Sequence, residues 1–190
     1  YGEYLSAHAA HKNDIKYIQI NFQNLKTKSF EFTDFMERTH DKNTVYGITE
    51  TWLTEDDATD EWTFDKANLT CFRKDRKQST SKKSKGGGVQ LLIPNHLNPV
   101  NRNELSSKCS VIETITVELD SPNGSLHKRM VLCLVYNPNK KHKPELLNFL
   151  SDLLLKVSNE NQEIMIMGDM NIDILANYES ESLTDLVHQY

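Results

Sequence analysis

The stretch from Glu163 to Asp173, Glu-Ile-Met-Ile-Met-Gly-Asp-Met-Asn-Ile-Asp, constrains this chain more than any other. Its apolar run is too short for a free-standing helix and suits a strand covered on both faces. Gly168 then lets the backbone turn or approach a ligand closely, and the polar residues that follow, Asp169, Asn171 and Asp173, fall at alternate positions. In isolation such a pattern is a loop whose Asp and Asn cap turns. Behind a buried strand, two carboxylates and an amide better suit a metal-bound or phosphate-bound water. A calcium loop starting at Asp169 is rejected, because it needs a glycine where the chain has Ile174 and a bidentate glutamate where it has Ser180.

The rest of the chain supplies strands and helices around that segment. Residues 15–20 alternate into a strand that ends on Asn21, and residues 22–25 are expected to turn into a helix through Arg38, with Phe32, Phe35 and Met36 as its apolar stripe. A second strand spans 44–53 and carries Glu50. Gly86-Gly87-Gly88 precedes a strand at 89–93; it lacks the Gly-Lys-Ser/Thr ending of a phosphate-binding loop and reads as a flexible lead-in. The polar, basic stretch 77–85 before it reads as an exposed, flexible loop. Residues 111–119 and 130–136 form the arms of a hairpin, the second ending on Tyr136-Asn137-Pro138-Asn139. A long helix follows from about residue 143 to 158, with Pro144 in its first turn and Leu146, Leu150, Leu153 and Val157 on its buried face. A last short helix covers 183–188. Strand and helix alternate, which argues for an α/β architecture with ligands outside the strand ends. Residues 1–14 read as a tail and 15–190 as one domain.

At 190 residues the chain supports one sizeable core. A net charge of −5 argues against a protein that coats nucleic acid by bulk electrostatics, although a nuclease needs an acidic site to hold metal. Cys71, Cys109 and Cys133 are odd in number and irregularly spaced, as reduced thiols of an intracellular protein would be. No apolar run approaches a membrane span, and no signal peptide is visible. The chain opens on Tyr1, and is expected to be a piece of something longer.

Four strands thus end in Asn21, in Glu50, in Tyr136 with Asn139, and in Asp169 with Asn171. These are hard oxygen ligands and hydrogen-bonding groups without a zinc-type Cys/His set. Magnesium-dependent attack on a phosphodiester needs such a set: a carboxylate for the ion, a carboxylate for the water, and neutral donors around the phosphate.

Asn21, Ile48-Thr49-Glu50-Thr51-Trp52-Leu53, Arg73-Lys74-Asp75-Arg76, Gly86-Gly87-Gly88-Val89, Tyr136-Asn137-Pro138-Asn139 and Gly168-Asp169-Met170-Asn171 occur in the order of the endonuclease/exonuclease/phosphatase superfamily. The chain most resembles the apurinic-type endonuclease domain of non-LTR retrotransposons, from about Ile15 to its end. The resemblance implies a four-layer α/β sandwich, two mixed β-sheets packed face to face with helices outside. It also implies that Glu50 holds Mg2+, or Mn2+ in its place, and that Asn21 helps arrange metal and phosphate. Tyr136 would contact the scissile phosphate with Asn139 supporting it. Asp169 would position the attacking water, and Asn171 would stabilise the developing charge. Arg73 and Arg76 are candidate substrate contacts.

One departure stands out. The family closes on a Ser-Asp-His end, and nothing after Asp173 provides it; His188 sits in a polar helix without that motif. The expectation is a nuclease domain without its last strands and terminal Asp-His pair, weakly active at best, with an open sheet edge available for self-association or a partner chain. The leading reading is a magnesium-dependent DNA endonuclease domain of a non-LTR retrotransposon-like element, nuclear if it acts on genomic DNA. The alternatives are a truncated or domesticated module that binds without catalysis, and a phosphoesterase acting on a lipid or small phosphate ester.

Overall fold

The computed structural model describes residues 14–57, 68–75, 86–120, 129–173 and 183–186. Arg76, the basic stretch 77–85, the hairpin turn after Asp120, His188 and nearly all of the N-terminal tail lie outside the described residues.

Eight strands form two four-stranded sheets. The first contains β1 (Lys16–Asn21), β2 (Thr44–Thr49), β3 (Leu69–Lys74) and β4 (Val89–Pro94), in the order β1-β2-β4-β3. The second contains β5 (Val100–Asn101), β6 (Glu113–Leu119), β7 (Met130–Tyr136) and β8 (Glu163–Asp169), in sequence order. Both sheets are mixed. Each holds one parallel pair, β1 with β2 and β7 with β8, and the other pairings are antiparallel.

Every residue of β7 is buried, which explains its unbroken apolar sequence Met-Val-Leu-Cys-Leu-Val-Tyr. Its Leu132, Leu134 and Tyr136 face Val45, Val89, Leu91 and Ile93 of the other sheet. Its Val131, Cys133 and Val135 face away, against Leu146, Leu150, Leu153 and Val157 of α2 (Lys143–Asn159). Those four helix positions recur every three or four residues, so one stripe of α2 covers the sheet. Burying each contributes about 1.5–3 kcal/mol. On the far side, Phe32 of α1 (Ser29–Thr39) covers Tyr46 and Ile48 of β2 and Leu92 of β4, together with Phe22 and Leu25. The layers therefore run helix, sheet, sheet, helix, as the resemblance implies.

Three expectations need correction. The strand at 163–169 is only partly covered: Ile164 and Ile166 pack towards α2 and Met167 into the core between the sheets, but Glu163 and Met165 are exposed. The first helix begins at Ser29 rather than near residue 25, because residues 22–25 are engaged elsewhere. The N–H groups of Phe22, Asn24 and Leu25 donate to the carbonyls of Thr49, Glu50 and Thr51. β2 stops at Thr49 rather than 53, because Glu50 and Trp52 both take the left-handed conformation, each at φ 56°.

Candidate active site

The two parallel pairs decide where the polar strand ends meet. In a parallel pair both carboxyl ends finish on the same side, and the register aligns Asn21 with Thr49 and Tyr136 with Asp169. Face-to-face packing sets these two ends against each other, with β8 lying against β1 and β2. Asn21, Glu50, Tyr136 and Asp169 consequently form one hydrogen-bonded group.

Asn21 is its hinge. Its Nδ2 donates to Oε1 of Glu50 at 3.3 Å and to Oδ2 of Asp169 at 3.1 Å, so the carboxylates are separated by no more than the sum of those distances. Tyr136 donates its phenolic hydrogen to Oε1 of Glu50 at 2.8 Å, and Nε1 of Trp52 lies 3.4 Å from Oε2. On Asp169, Oδ1 accepts the backbone N–H of Asn171 at 3.1 Å. Asn171 itself sits at φ 49° and turns its Nδ2 to the carbonyl of Asn137 at 2.6 Å.

An open cleft of about 560 Å³ adjoins the group, lined by Asn21, Lys140, Asp169, Asn171 and Asp173 among others. Glu50 does not line this cleft and is linked to it through its hydrogen bond with Asn21.

The remaining site expectations fare differently. Asn139 is exposed and caps the short turn before α2, its Oδ1 accepting the N–H of Lys141 at 3.0 Å. Arg73 is not brought to the group. Its guanidinium, with a side chain only 11% exposed, donates to Asp75 and to the carbonyls of Asp57 and Thr54, where it ties the segment after β2 to the end of β3.

Two features escaped the sequence reading. Gly86, Gly87 and Gly88 all have positive φ, and they are more than a lead-in. The carbonyls of Gly88 and Gly87 accept the N–H groups of Thr51 and Trp52, so this loop and residues 22–25 grip the Glu50 segment from opposite sides. A Cβ on Gly88 would stand 2.3 Å from Thr51 Oγ1. The Gly88 N–H donates at 2.5 Å to buried Glu113 of the second sheet, the residue aligned with Tyr136. The only sequence signal was a triple glycine beside a site strand. The other feature is Asn137, fully buried, whose Nδ2 donates to the Met170 carbonyl at 3.0 Å.

Both carboxylates are hard oxygen donors, and among the described residues neither has a salt-bridge partner. Among those residues, no cluster of three His, Cys, Asp or Glu is placed to hold a metal. The donor set fits a hard divalent cation that keeps waters or substrate oxygens in most positions, and does not fit a fully protein-caged ion.

No protein-family model matches the sequence, and comparison with curated proteins gives no match. Solved structures do match. The endonuclease domain of TRAS1, a telomere-specific non-LTR retrotransposon, superposes with a TM-score of 0.58 and 13% identity, over 90% of this chain and 72% of that one. A 3′ phosphatase, NExo from Neisseria bound to a product DNA hairpin, gives 0.56 and 11% over 92% and 70%. The human Nocturnin catalytic domain with a bound sulfate gives 0.61 and 11% over 91% and 72%. Identities this low speak to architecture alone. Two mixed sheets packed face to face, helices outside them and these superpositions lead to one conclusion: the chain has the endonuclease/exonuclease/phosphatase fold.

Proposed function

We propose that this chain is a divalent-metal-dependent phosphodiesterase domain that nicks DNA, of the type carried by non-LTR retrotransposons. The observation that carries the reading is one amide nitrogen, Asn21 Nδ2, held between the carboxylates of Glu50 and Asp169 from opposite sheets. Such an arrangement is unusual for a core and apt for a site that gathers charge around a phosphate. Glu50 would hold Mg2+, or Mn2+ in its place, with the amide oxygen of Asn21 assisting. When bound, the ion offsets the negative charge that builds on the phosphoryl oxygens. Asp169 orients a water and accepts its proton as the water attacks phosphorus, while the ester P–O bond opposite breaks and solvent protonates the departing oxygen. Asn171, and Tyr136 once its hydroxyl turns from Glu50 to the substrate, supply neutral donors beside the phosphate. A genomic DNA substrate would place the working protein in the nucleus.

A second reading is phosphomonoester removal from a DNA end, favoured by the likeness to a 3′ phosphatase bound to product DNA. One assay separates the two. The purified chain is incubated with supercoiled plasmid and, in parallel, with an oligonucleotide bearing a 3′ phosphate, each with Mg2+ and with EDTA. Metal-dependent conversion of plasmid to open circles supports the endonuclease reading. Release of inorganic phosphate with intact plasmid supports the second. Turnover of neither leaves a module that binds without catalysis.

A further inference from the structure

Asn137 stands between Tyr136 and Pro138, is fully buried, and touches each of the three residues that follow β8's last glycine. Its N–H donates to the Asp169 carbonyl at 2.8 Å. Its Nδ2 donates to the Met170 carbonyl at 3.0 Å, and its own carbonyl accepts Nδ2 of Asn171 at 2.6 Å. Its Oδ1 accepts the N–H of Asn139 at 3.3 Å. We infer that Asn137 is a positioning residue for the site, fixing the turn that presents Asp169 and Asn171.

The physical need for such a residue comes from β8 itself. Among the described residues this strand has one neighbour, so past Tyr136 no second strand holds its end. Gly168 has φ 138° within β8, strand geometry ends at Asp169, and Asn171 follows at φ 49°. The Asn137 backbone ties the turn at Asp169 and Asn171, and without a bond at Met170 between them the turn could rotate, taking with it the Asn171 N–H that steadies Asp169 Oδ1. The Asn137 side chain supplies that restraint in a water-free position, where an amide bonded to a backbone carbonyl has no competing solvent. A displacement of about 1 Å at a reacting group lowers rates by about 100-fold.

The Asn137 side chain touches neither the Asp169 carboxylate nor the Asn171 amide and acts through the turn that carries them. The inference rests on the proposed nuclease activity for its kinetic consequence and on the geometry alone for its structural one. The test therefore has two readouts. Asn137→Asp keeps the shape and the Oδ1 acceptor and removes the donor to Met170; Asn137→Ser serves if that variant does not fold. On plasmid DNA the variant is expected to lose about 10- to 100-fold in kcat with KM within twofold of the parent. In hydrogen exchange, the amides of residues 137–141 and 169–173 should exchange faster, while those of β1, β2 and β4 stay as protected as before.

A kcat within twofold of the parent overturns the inference. So does unchanged exchange at residues 169–171, whatever the activity. Faster exchange across both sheets also overturns it, since it would mark a general loss of stability. If the parent chain cuts no DNA but the exchange change stays local, the positioning role stands and the nuclease reading falls.

Discussion

Asn21 and Asp169 are 148 positions apart in the chain, yet Nδ2 of Asn21 donates to Oδ2 of Asp169 at 3.1 Å. One residue ends the first strand of one sheet and the other ends the last described strand of the second. The bond is a direct link between the two halves of the sandwich at its polar end, and the amide's contact with Glu50 makes it a three-residue junction.

On the proposed function, Asp169→Asn should abolish nicking while sparing DNA binding. The substitution removes the proton acceptor and keeps side-chain size and an oxygen acceptor. Losing a positioned general base lowers rates by about 100- to 10,000-fold. Single-turnover nicking, with fluorescence anisotropy on a labelled duplex, measures both properties. A wild-type cutting rate in this variant would rule out the assigned role.

Glu50→Gln should weaken divalent-metal binding more than it weakens folding. Tyr136 and Asn21 can still donate to the amide oxygen, but the negative charge that attracts the cation is gone. Isothermal titration with Mn2+ should show an affinity at least about 10-fold lower, the scale of one lost charge-assisted contact. Equal affinity in both proteins would place the metal elsewhere.

Gly168→Ala should destabilise the protein by at least about 2 kcal/mol. The new Cβ would lie 1.9 Å from the Val135 carbonyl oxygen, a backbone atom of the neighbouring strand that no rotamer change can move. A positive φ of 138° adds strain to any side chain there. Urea unfolding checks the magnitude, and an unchanged midpoint would mean that β7 and β8 separate more easily than their register suggests.

Arg73→Ala should cost stability, about 3 kcal/mol or more, with little change in DNA affinity. Its guanidinium fills a buried role against Asp75, Thr54 and Asp57, and truncation leaves the Asp75 carboxylate without its counter-charge. A DNA affinity loss without a fall in the unfolding midpoint would return Arg73 to the substrate surface.

Cys71 and Cys133 should resist alkylation in the native state at pH 8. Burial pushes the Cys71 thiol up to about 11 and the Cys133 thiol up to about 12, with hydrogen bonds from Gln90 and Thr116 only partly opposing it. Both thiols stay protonated in the fold while the unfolded chain begins to ionise near pH 9. Protons are then bound more strongly by the folded state, so stability is complete below pH 9 and falls as pH rises towards 12. Iodoacetamide labelling with and without urea, and melting temperatures from pH 8 to 10.5, test the two consequences.

Much of the molecule could be read from residue patterns because those patterns are local. The leucines of α2 recur at helical spacing, and β7 is apolar without interruption. Asn21, Glu50, Tyr136 and Asp169 each end an apolar run. Residue order alone therefore pointed to most of the strands, to both outer helices and to the residues available to the site, but not to β3, β5 or the exact ends of β2 and α1.

What the chain could not show locally was decided by packing across the sandwich. The left-handed backbone at Glu50 is held by Gly87, Gly88 and residues 22–25, segments far apart in sequence. Arg73 became a brace because the fold placed the carbonyls of Thr54 and Asp57 beside it. The contacts of Asn137 with residues 169–171 exist because β7 and β8 run parallel in one register. Hydrogen bonds between residues brought together by the tertiary fold depend on distance and angle in space, and a sequence records neither.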